Sequence, residues 1–408
     1  MTEVTIKRLG LHGDGIAEGP VIAARTLPGE VVAGDLEGQS LRDLKIIEPS
    51  DKRVAPPCRH YKSCGGCQLQ HATDEFVATW KVDVVRQALQ ARGLETDFRP
   101  IETSPTKSRR RAGFAARRTK KGAMVGFYGR ASGTIVAIPD CHLLAPELQA
   151  GAAVAEALAI AGASRKIALS VTVTQSDAGL DVFARGGKPL DGPLRQSLAA
   201  ICEASRVVRL SWEDEVVALR AAPTQQFGPA KVTPPPGAFL QATAHGQAAL
   251  TRAVLEITQG AKRVVDLFAG CGTFSLPIAQ HAEVHAVEGD AAMIAALDAG
   301  WRHATGVRQV THEARDLFRR PLMADEFTKA QAVVIDPPRA GAEAQVVELA
   351  RSSVRRIAFV SCNPVTFARD AAVLIDAGYE LEWIQVIDQF RWSAHVELVA
   401  SFNAPHMR

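Results

Sequence analysis

The sequence contains few cysteines, few tyrosines and no long apolar run. Its 408 residues include 7 cysteines and 3 tyrosines, and aromatic residues make up 6%. The odd number of cysteines, without a basic and apolar leader, argues against a disulfide framework and predicts a protein of the reducing cytoplasm. The most apolar stretch, residues 152–163, is interrupted by Glu156. It predicts a buried helix and not a membrane span, so we expect no membrane partner.

Charge is unevenly distributed, although the formal net charge is only +3. Between Thr103 and Pro139 there is no acidic residue, and aromatic residues are interspersed among the basic ones. The basic side chains of this block are Lys107, Arg109, Arg110, Arg111, Arg117, Arg118, Lys120, Lys121 and Arg130. A local basic block on an otherwise acidic chain predicts contact with a polyanion, and its arginines favour nucleic acid over an ordinary solvated loop.

The length predicts two or three domains, and the pattern changes along the chain in three stages. Residues 1–48 alternate apolar and polar positions with frequent glycine, which predicts a small β-barrel. A helix is predicted near residues 74–92, and residues 98–221 mix strands and helices. The prolines of residues 234–237 predict a stiff boundary. Beyond them strands and helices alternate, which is typical of a parallel α/β sheet.

A glycine turn follows the first predicted strand of this last region. The segment Asp266-Leu267-Phe268-Ala269-Gly270-Cys271-Gly272 reads as a strand end and a tight turn. Glu288 ends the next predicted strand, where a carboxylate can accept both hydroxyl groups of a ribose. The single residue between the two glycines favours S-adenosylmethionine over a dinucleotide.

Two further strands end in residues that carry chemistry. One is followed by Asp336-Pro337-Pro338-Arg339, and the next by Ser361-Cys362-Asn363-Pro364. Both segments are expected at the carboxyl edge of the sheet, over the ligand crevice. This position favours a nucleophilic Cys362 over a buried structural cysteine. Glu397 on the last strand is a candidate base, although by itself it is better explained as an exposed charge on an edge strand.

Four of the remaining cysteines have the spacing of metal ligands. Cys58, Cys64 and Cys67 are close in the sequence, and Cys141 follows at a distance. Four thiolates fit either zinc or a [4Fe–4S] cluster, and the spacing by itself slightly favours zinc.

Taken in order, these motifs resemble the RNA uracil-5 methyltransferase family. The resemblance is carried by the glycine turn, by Asp336-Pro-Pro-Arg339-Ala-Gly341, by the segment Ser361 to Asp370, and by His395-Val396-Glu397. It implies an α/β chain with a TRAM- or OB-like β-barrel in residues 1–50. A central α+β domain for RNA binding, with an iron–sulfur site, is then expected in residues 51–235. A Rossmann-like class I methyltransferase domain is expected in residues 236–408.

The resemblance also implies roles for individual residues. Cys362 is expected to be the nucleophile and Glu397 the base. The residues expected to contact S-adenosylmethionine are Gln241, Phe268, Thr273, Glu288, Asp316 and Asp336. The residues expected to hold a [4Fe–4S] cluster are Cys58, Cys64, Cys67 and Cys141. The chain departs from the family at Thr273, where Asn is common, and at Arg391-Trp392-Ser393, which replaces Pro-His-Thr.

The expected function is methylation of carbon 5 of a uridine in 23S ribosomal RNA. Carbon 5 of uracil is a poor nucleophile, and addition of the Cys362 thiolate to carbon 6 gives it carbanion character. The barrel and the four cysteines are typical of the ribosomal RNA branch. Alternatives are the same reaction on transfer RNA, or an inactive iron–sulfur RNA-binding protein. The presence of both Cys362 and Glu397 argues against inactivity, and we expect a monomer.

Overall fold

A computed structural model describes residues 1–404, so the last four residues of the third expected domain lie outside the described part. The chain begins with a closed five-stranded barrel in the order β1-β2-β3-β5-β4. Its strands are β1 (Thr2–Leu9), β2 (Gly15–Ala17), β3 (Ile22–Ala23), β4 (Val31–Glu37) and β5 (Ser40–Glu48). The barrel core contains Ile6, Val32 and Leu41. The small N-terminal barrel predicted from the alternating pattern is confirmed.

The second part of the chain contains a long helix, a seven-stranded sheet and two further helices. These elements are α1 (Asp74–Gln90), β6 (Asp97–Thr103), β7 (Arg111–Arg118), β8 (Ala123–Tyr128), β9 (Ile135–Val136), α2 (Pro146–Gly162), β10 (Leu169–Gln175), β11 (Leu180–Arg185), α3 (Gly192–Glu203), β12 (Val207–Trp212) and β13 (Glu215–Leu219). The sheet order is β13-β12-β11-β10-β7-β8-β9. Helices α2 and α3 share its core with the apolar side chains of β7, β10, β11 and β12.

The third part is built on an eight-stranded sheet. Its elements are β14 (Gln225–Phe227), β15 (Ala230–Val232), α4 (Ala244–Ile257), β16 (Arg263–Leu267), α5 (Ser275–Ile278), β17 (Glu283–Glu288), α6 (Ala291–His303), β18 (Val310–Ala314), a 3-10 helix (Ala324–Phe327), β19 (Ala332–Ile335), α7 (Glu343–Ala350), β20 (Arg356–Ser361), α8 (Pro364–Asp376), β21 (Glu380–Asp388) and β22 (Leu398–Asn403). The order is β18-β17-β16-β19-β20-β22-β21-β6. The first five strands are parallel, and β22 is antiparallel to both of its neighbours. The predicted α/β class is confirmed.

Two elements from the second part of the chain complete this sheet. Strand β6 pairs in parallel with β21 and forms the sheet edge. Helix α1 buries Val77, Val85 and Leu89 in the same core as β19, β20 and α8. Thr73 caps the start of α1 by accepting a hydrogen bond from the Phe76 backbone N–H at 3.3 Å. This capping fits the general preference for a hydroxyl at a helix N-terminus.

Within residues 1–404, no helix combines the length and the apolar character needed to cross a membrane. The helix predicted at residues 152–163 corresponds to the second half of α2, which ends at Gly162. Its Val154, Ala155 and Leu158 are buried against the seven-stranded sheet.

Candidate functional site

The sequence-predicted residues converge on one edge of the eight-stranded sheet. Phe268 follows β16, Glu288 ends β17, Asp336 follows β19 and Cys362 follows β20. The carboxyl ends of neighbouring parallel strands meet at one edge, which is where open α/β sheets bind ligands. Glu397 reaches this edge from the opposite direction, because it immediately precedes the antiparallel strand β22.

Strand register places Cys362 opposite Glu397. In the β20–β22 pair Val360 aligns with Val399 and Ser361 with Leu398, so the next facing positions are Cys362 and Glu397. Burial raises the pKa of the Cys362 thiol to about 11, and the charge of Glu397 adds to the shift. Arg339 acts in the opposite direction and favours the thiolate.

Glu397 is itself almost completely buried, with 3% of its surface exposed. Burial, followed by the charge of Asp336, raises its pKa to about 8. A hydrogen bond from Gln389 and the positive charge of Arg339 both oppose that increase. A carboxyl group with a pKa near neutrality can accept and release a proton, as a general base requires.

Two more carboxyl groups lie close to this edge, Asp266 completely buried at the end of β16 and Asp336 half-buried after β19. Asp266 accepts a hydrogen bond from the Ser275 hydroxyl at 2.5 Å, while its second oxygen is buried without a partner. Burial raises the pKa of Asp266 to about 7. The pKa of Asp336 is also raised, first by burial and then by the charges of Asp266 and Glu288. Asp266 was included in the sequence motif, but its position as a buried carboxyl was not predicted.

Gln241 lies between Asp336 and a glutamine that sequence reasoning missed. Its Nε2 donates to Oδ2 of Asp336 at 3.5 Å. Its Oε1 accepts a hydrogen bond of 2.6 Å from Nε2 of Gln389, which also donates to Glu397 at 3.1 Å. Gln389 directly follows β21 and carries no recognisable motif, so only the fold reveals its position.

The turn after β16 has the backbone geometry that its glycines allow. Gly270 and Gly272 have φ values of 56° and 89°, and Phe268 adopts φ 60°, which is rare for a bulky residue. The Glu288 carboxylate accepts hydrogen bonds from the backbone N–H groups of Gly270 at 3.0 Å and Asp290 at 2.9 Å. The predicted ribose-binding carboxylate is therefore fixed beside the glycine turn.

An exposed aromatic ring lies beside this turn. Phe318 is 51% exposed, and its ring centroid lies 5.5 Å from that of Phe268. Asp316 Oδ1 accepts a hydrogen bond from the Phe318 backbone N–H at 3.0 Å, which ties the predicted carboxylate to this ring. Thr273 is half-buried in the glycine turn.

The four candidate metal ligands lie together in a separate cavity of about 310 Å³. Cys58, Cys64, Cys67 and Cys141 line it, together with residues that include Arg109, Ser393 and His395. Among residues 1–404, no three His, Cys, Asp or Glu side chains are close enough to hold one metal ion. The structure therefore brings the four thiols to one cavity but does not show an iron–sulfur or other metal site.

Two arginines of the basic block, Arg110 and Arg111, bind groups of this chain and so are not available to a polyanion as the block predicts. Arg110 is 9% exposed and donates to the backbone oxygen of Gln241 at 3.0 Å and to Oε1 of Gln247 at 2.6 Å. Arg111 donates to the Gly237 oxygen at 3.1 Å. Burial lowers the pKa of Arg110 to about 10. These side chains join the seven-stranded sheet to residues 237–247, the segment that leads into the candidate site.

The strand order and the site at its carboxyl edge define a Rossmann-like methyltransferase. The family model described as tRNA (Uracil-5-)-methyltransferase matches residues 232–402. An uncharacterized RNA methyltransferase of Rhizobium meliloti (strain 1021) is 45% identical over 98% of this chain and 99% of its own. The 23S rRNA (uracil(1939)-C(5))-methyltransferase RlmD of Pseudomonas putida is 34% identical over 98% of this chain and 93% of its own.

The chain belongs to the RNA (uracil-5-)-methyltransferase family of enzymes, as its motifs predict. A solved structure agrees with the fold over nearly the whole length. The Pyrococcus abyssi tRNA (uracil-54, C5)-methyltransferase, in complex with S-adenosyl-L-homocysteine, has a TM-score of 0.75 and 21% identity. That match covers 98% of this chain and 99% of the other.

Proposed function

We propose that this enzyme methylates carbon 5 of a uridine in 23S ribosomal RNA through a transient covalent bond between Cys362 and carbon 6. The observation that carries the proposal is the facing position of Cys362 and the buried Glu397 at the carboxyl edge of the sheet. The choice of ribosomal RNA is supported by the Pseudomonas putida relative, which is named for 23S rRNA and aligns over 98% of this chain.

The turn after β16 has groups that fit S-adenosylmethionine. Glu288, already held by two backbone N–H groups, would accept the ribose hydroxyls. Exposed Phe318 and its neighbour Phe268 offer apolar surface for the adenine, with Asp316 at the same place. Gln241, Thr273 and Asp336 would contact the remainder of the cofactor. S-adenosylmethionine would supply the methyl group.

In the proposed reaction, side chains of this protein form and later break one covalent bond to the uracil and remove one proton from it. The Cys362 thiolate adds to carbon 6, and the electron pair of the 5,6 double bond moves toward carbon 5 and its neighbouring carbonyl. Carbon 5 then takes the methyl group. Glu397 removes the carbon 5 proton, the double bond forms again, and the Cys362 thiolate is expelled. Arg339 favours the ionised forms of both side chains.

Substitution of the two residues should stop the reaction at different steps. We expect Cys362→Ala to abolish methylation and leave S-adenosylmethionine binding intact, because the thiol attacks RNA. Glu397→Gln should accumulate a methylated protein–RNA adduct that survives denaturation, because the carbon 5 proton then has no acceptor. Denaturing gels with methyl-labelled cofactor measure both the methylated RNA and the protein–RNA adduct. Cys202→Ala serves as the control, because Cys202 is buried in the core of the seven-stranded sheet. Methylation by Cys362→Ala near the wild-type rate would contradict the mechanism.

The RNA target can be tested in cells. A strain lacking this gene should lose one 5-methyluridine from 23S ribosomal RNA and keep the 5-methyluridine of its transfer RNA. Mass spectrometry of nuclease digests of the two purified RNAs measures this. Loss from transfer RNA alone would establish the alternative substrate, and a full set of both modifications would contradict the proposed activity.

We infer that the first 50 residues form a TRAM-like unit and residues 51–235 a central RNA-binding unit, with the catalytic unit beginning at residue 236. The closed barrel supports the first unit and the seven-stranded sheet the second, while α1 and β6 of the second unit pack into the eight-stranded sheet of the third. The basic side chains available to RNA include exposed Lys107, Lys120 and Lys121. A cytoplasmic location would suit this RNA substrate.

We propose that the four-cysteine cavity holds a [4Fe–4S] cluster and not a zinc ion, as the resemblance to the ribosomal RNA branch implies. The four thiols line one cavity of about 310 Å³. Arg109 lines the cavity and would balance the negative charge of thiolate ligands. Cys58, Cys64, Cys67 and Cys141 would hold the cluster, whose role would be structural.

Metal analysis tests this site. Protein purified without oxygen should be brown and contain about four iron and four sulfide per chain. Cys67→Ala should lose both and fall in thermal stability, since ligation couples to folding, whereas Cys202→Ala should keep both. One zinc per chain without sulfide would contradict the cluster.

A further inference from the structure

The side-chain amide of Gln389 links three parts of the site that are far apart in the sequence. Gln389 is 3% exposed. Its Nε2 donates to Oε2 of Glu397 at 3.1 Å and to Oε1 of Gln241 at 2.6 Å. Its Oε1 accepts from the backbone N–H of Ala242 at 2.8 Å. Both N–H hydrogens and the oxygen of the Gln389 side-chain amide therefore have hydrogen-bond partners.

The partners fix which way the amide points. The backbone N–H of Ala242 can only donate, so the atom facing it must be the oxygen of Gln389. The amine must then face Glu397 and Gln241. Gln241 in turn presents its side-chain oxygen to Gln389. The NH₂ group of the Gln241 amide is then directed at Asp336. One backbone N–H thus sets the orientation of both glutamines and provides a donor to the Glu397 carboxylate.

The backbone around Gln389 is also tightly held. Lys81 is completely buried, and its Nζ donates to Asp388 at 2.6 Å and to the Phe390 oxygen at 3.0 Å. The residues on both sides of Gln389 are therefore tied to helix α1. A Cβ added to Gly246 would lie 2.7 Å from Cβ of Gln389, so α4 packs directly against the side chain. Gln389 has little freedom to turn away from Glu397.

We propose that Gln389 is a positioning residue for the base, holding the Glu397 carboxylate toward the Cys362 side of the site and stabilising its negative charge. This inference rests on the proposed covalent mechanism. The groups that face Glu397 are Asp336 and Arg339 after β19, Cys362 after β20, and Gln389 after β21. Among them, only Gln389 donates a hydrogen bond to the carboxylate in the described residues.

The role predicts a selective defect in one reaction step. Attack by Cys362 and methyl transfer come before Glu397 removes a proton, so they do not require the hydrogen bond from Gln389 to Glu397. Proton removal does require an ionised and correctly placed carboxylate. Burial and the charge of Asp336 raise the pKa of Glu397, and the hydrogen bond from Gln389 lowers it. Without that hydrogen bond Glu397 ionises only at higher pH. Resolution of the methylated adduct should slow at neutral pH and recover as the pH rises.

The test uses Gln389→Leu and Gln389→Met, which remove the donor and retain similar volume. In single turnovers with methyl-labelled S-adenosylmethionine and uridine RNA, methyl transfer should stay within about threefold of wild type. Adduct resolution should slow by at least about tenfold, the lower end for a lost hydrogen bond to a charged group. Its pH profile should move to higher pH. Rates are expressed per cofactor-binding site, which corrects for any misfolded fraction. The second variant then checks that the defect does not depend on the side chain introduced.

Gln345→Leu is the matched control. Gln345 is 1% exposed in α7, and its amide bonds only to the Leu322 backbone, at 2.8 and 3.1 Å. It should resolve the adduct as wild type does, even if its unfolding temperature falls. The inference is overturned if both Gln389 variants resolve the adduct at the wild-type rate, if methyl transfer slows equally, or if Gln345→Leu shows the same defect.

Glu397→Gln separates this inference from the mechanism beneath it. If Glu397→Gln accumulates adduct and the Gln389 variants do not, the positioning role fails and the proposed function stands. If Glu397→Gln and wild type both turn over without an adduct, the assignment of the base fails, and the role of Gln389 fails with it.

Discussion

The candidate site depends on how the loop between β21 and β22 is held by the N-terminal half of the chain. The buried Lys81–Asp388 ion pair fixes the start of the loop, at 2.6 Å. Removing one partner of such a pair costs about 3–5 kcal/mol, because a buried charge is left without compensation. The loop ends at Glu397. Helix α1, which is remote in sequence, is thus part of the structure that places the base.

The middle of the same loop is held by the segment that carries the cysteines. The Trp392 backbone oxygen accepts hydrogen bonds from the N–H groups of Gln68 at 2.8 Å and Leu69 at 2.9 Å. Asp74 binds the indole N–H of Trp392 at 2.9 Å and forms an ion pair with Arg391. Cys67 adjoins Gln68, and the four-cysteine cavity is partly lined by this loop. The same loop therefore borders both the cysteine cavity and the reaction site.

Sequence patterns predicted the parts of the site that follow strand periodicity. The apolar runs before Cys362 and Glu288 predict strand ends at these residues, and the parallel register places both ends at one edge of the sheet. The patterns could not show the hydrogen bonds of Gln389 to Gln241 or of Lys81 to Asp388, which join residues 148 and 307 positions apart. The burial of Arg110 was missed for the same reason, since its partner Gln241 lies 131 residues away.

The segment Arg391-Trp392-Ser393, where the resemblance led us to expect a departure from the family, is held by contacts within the fold. Arg391 and Trp392 both bind Asp74, and Trp392 adopts φ 58° to present its carbonyl to the cysteine segment. Such a conformation is uncommon for a bulky residue and persists only where its surroundings determine it. The unusual residues therefore hold the loop that carries the base.

The most direct test of the central claim is to trap the bond between Cys362 and RNA. With 5-fluorouridine at the target position, carbon 5 carries no proton for Glu397 to remove, so the reaction should stop after methyl transfer. Digestion and mass spectrometry should then find a methylated 5-fluorouridine nucleotide on the peptide that contains Cys362. Attachment to another residue, or no adduct from enzyme that methylates uridine RNA normally, would contradict the account.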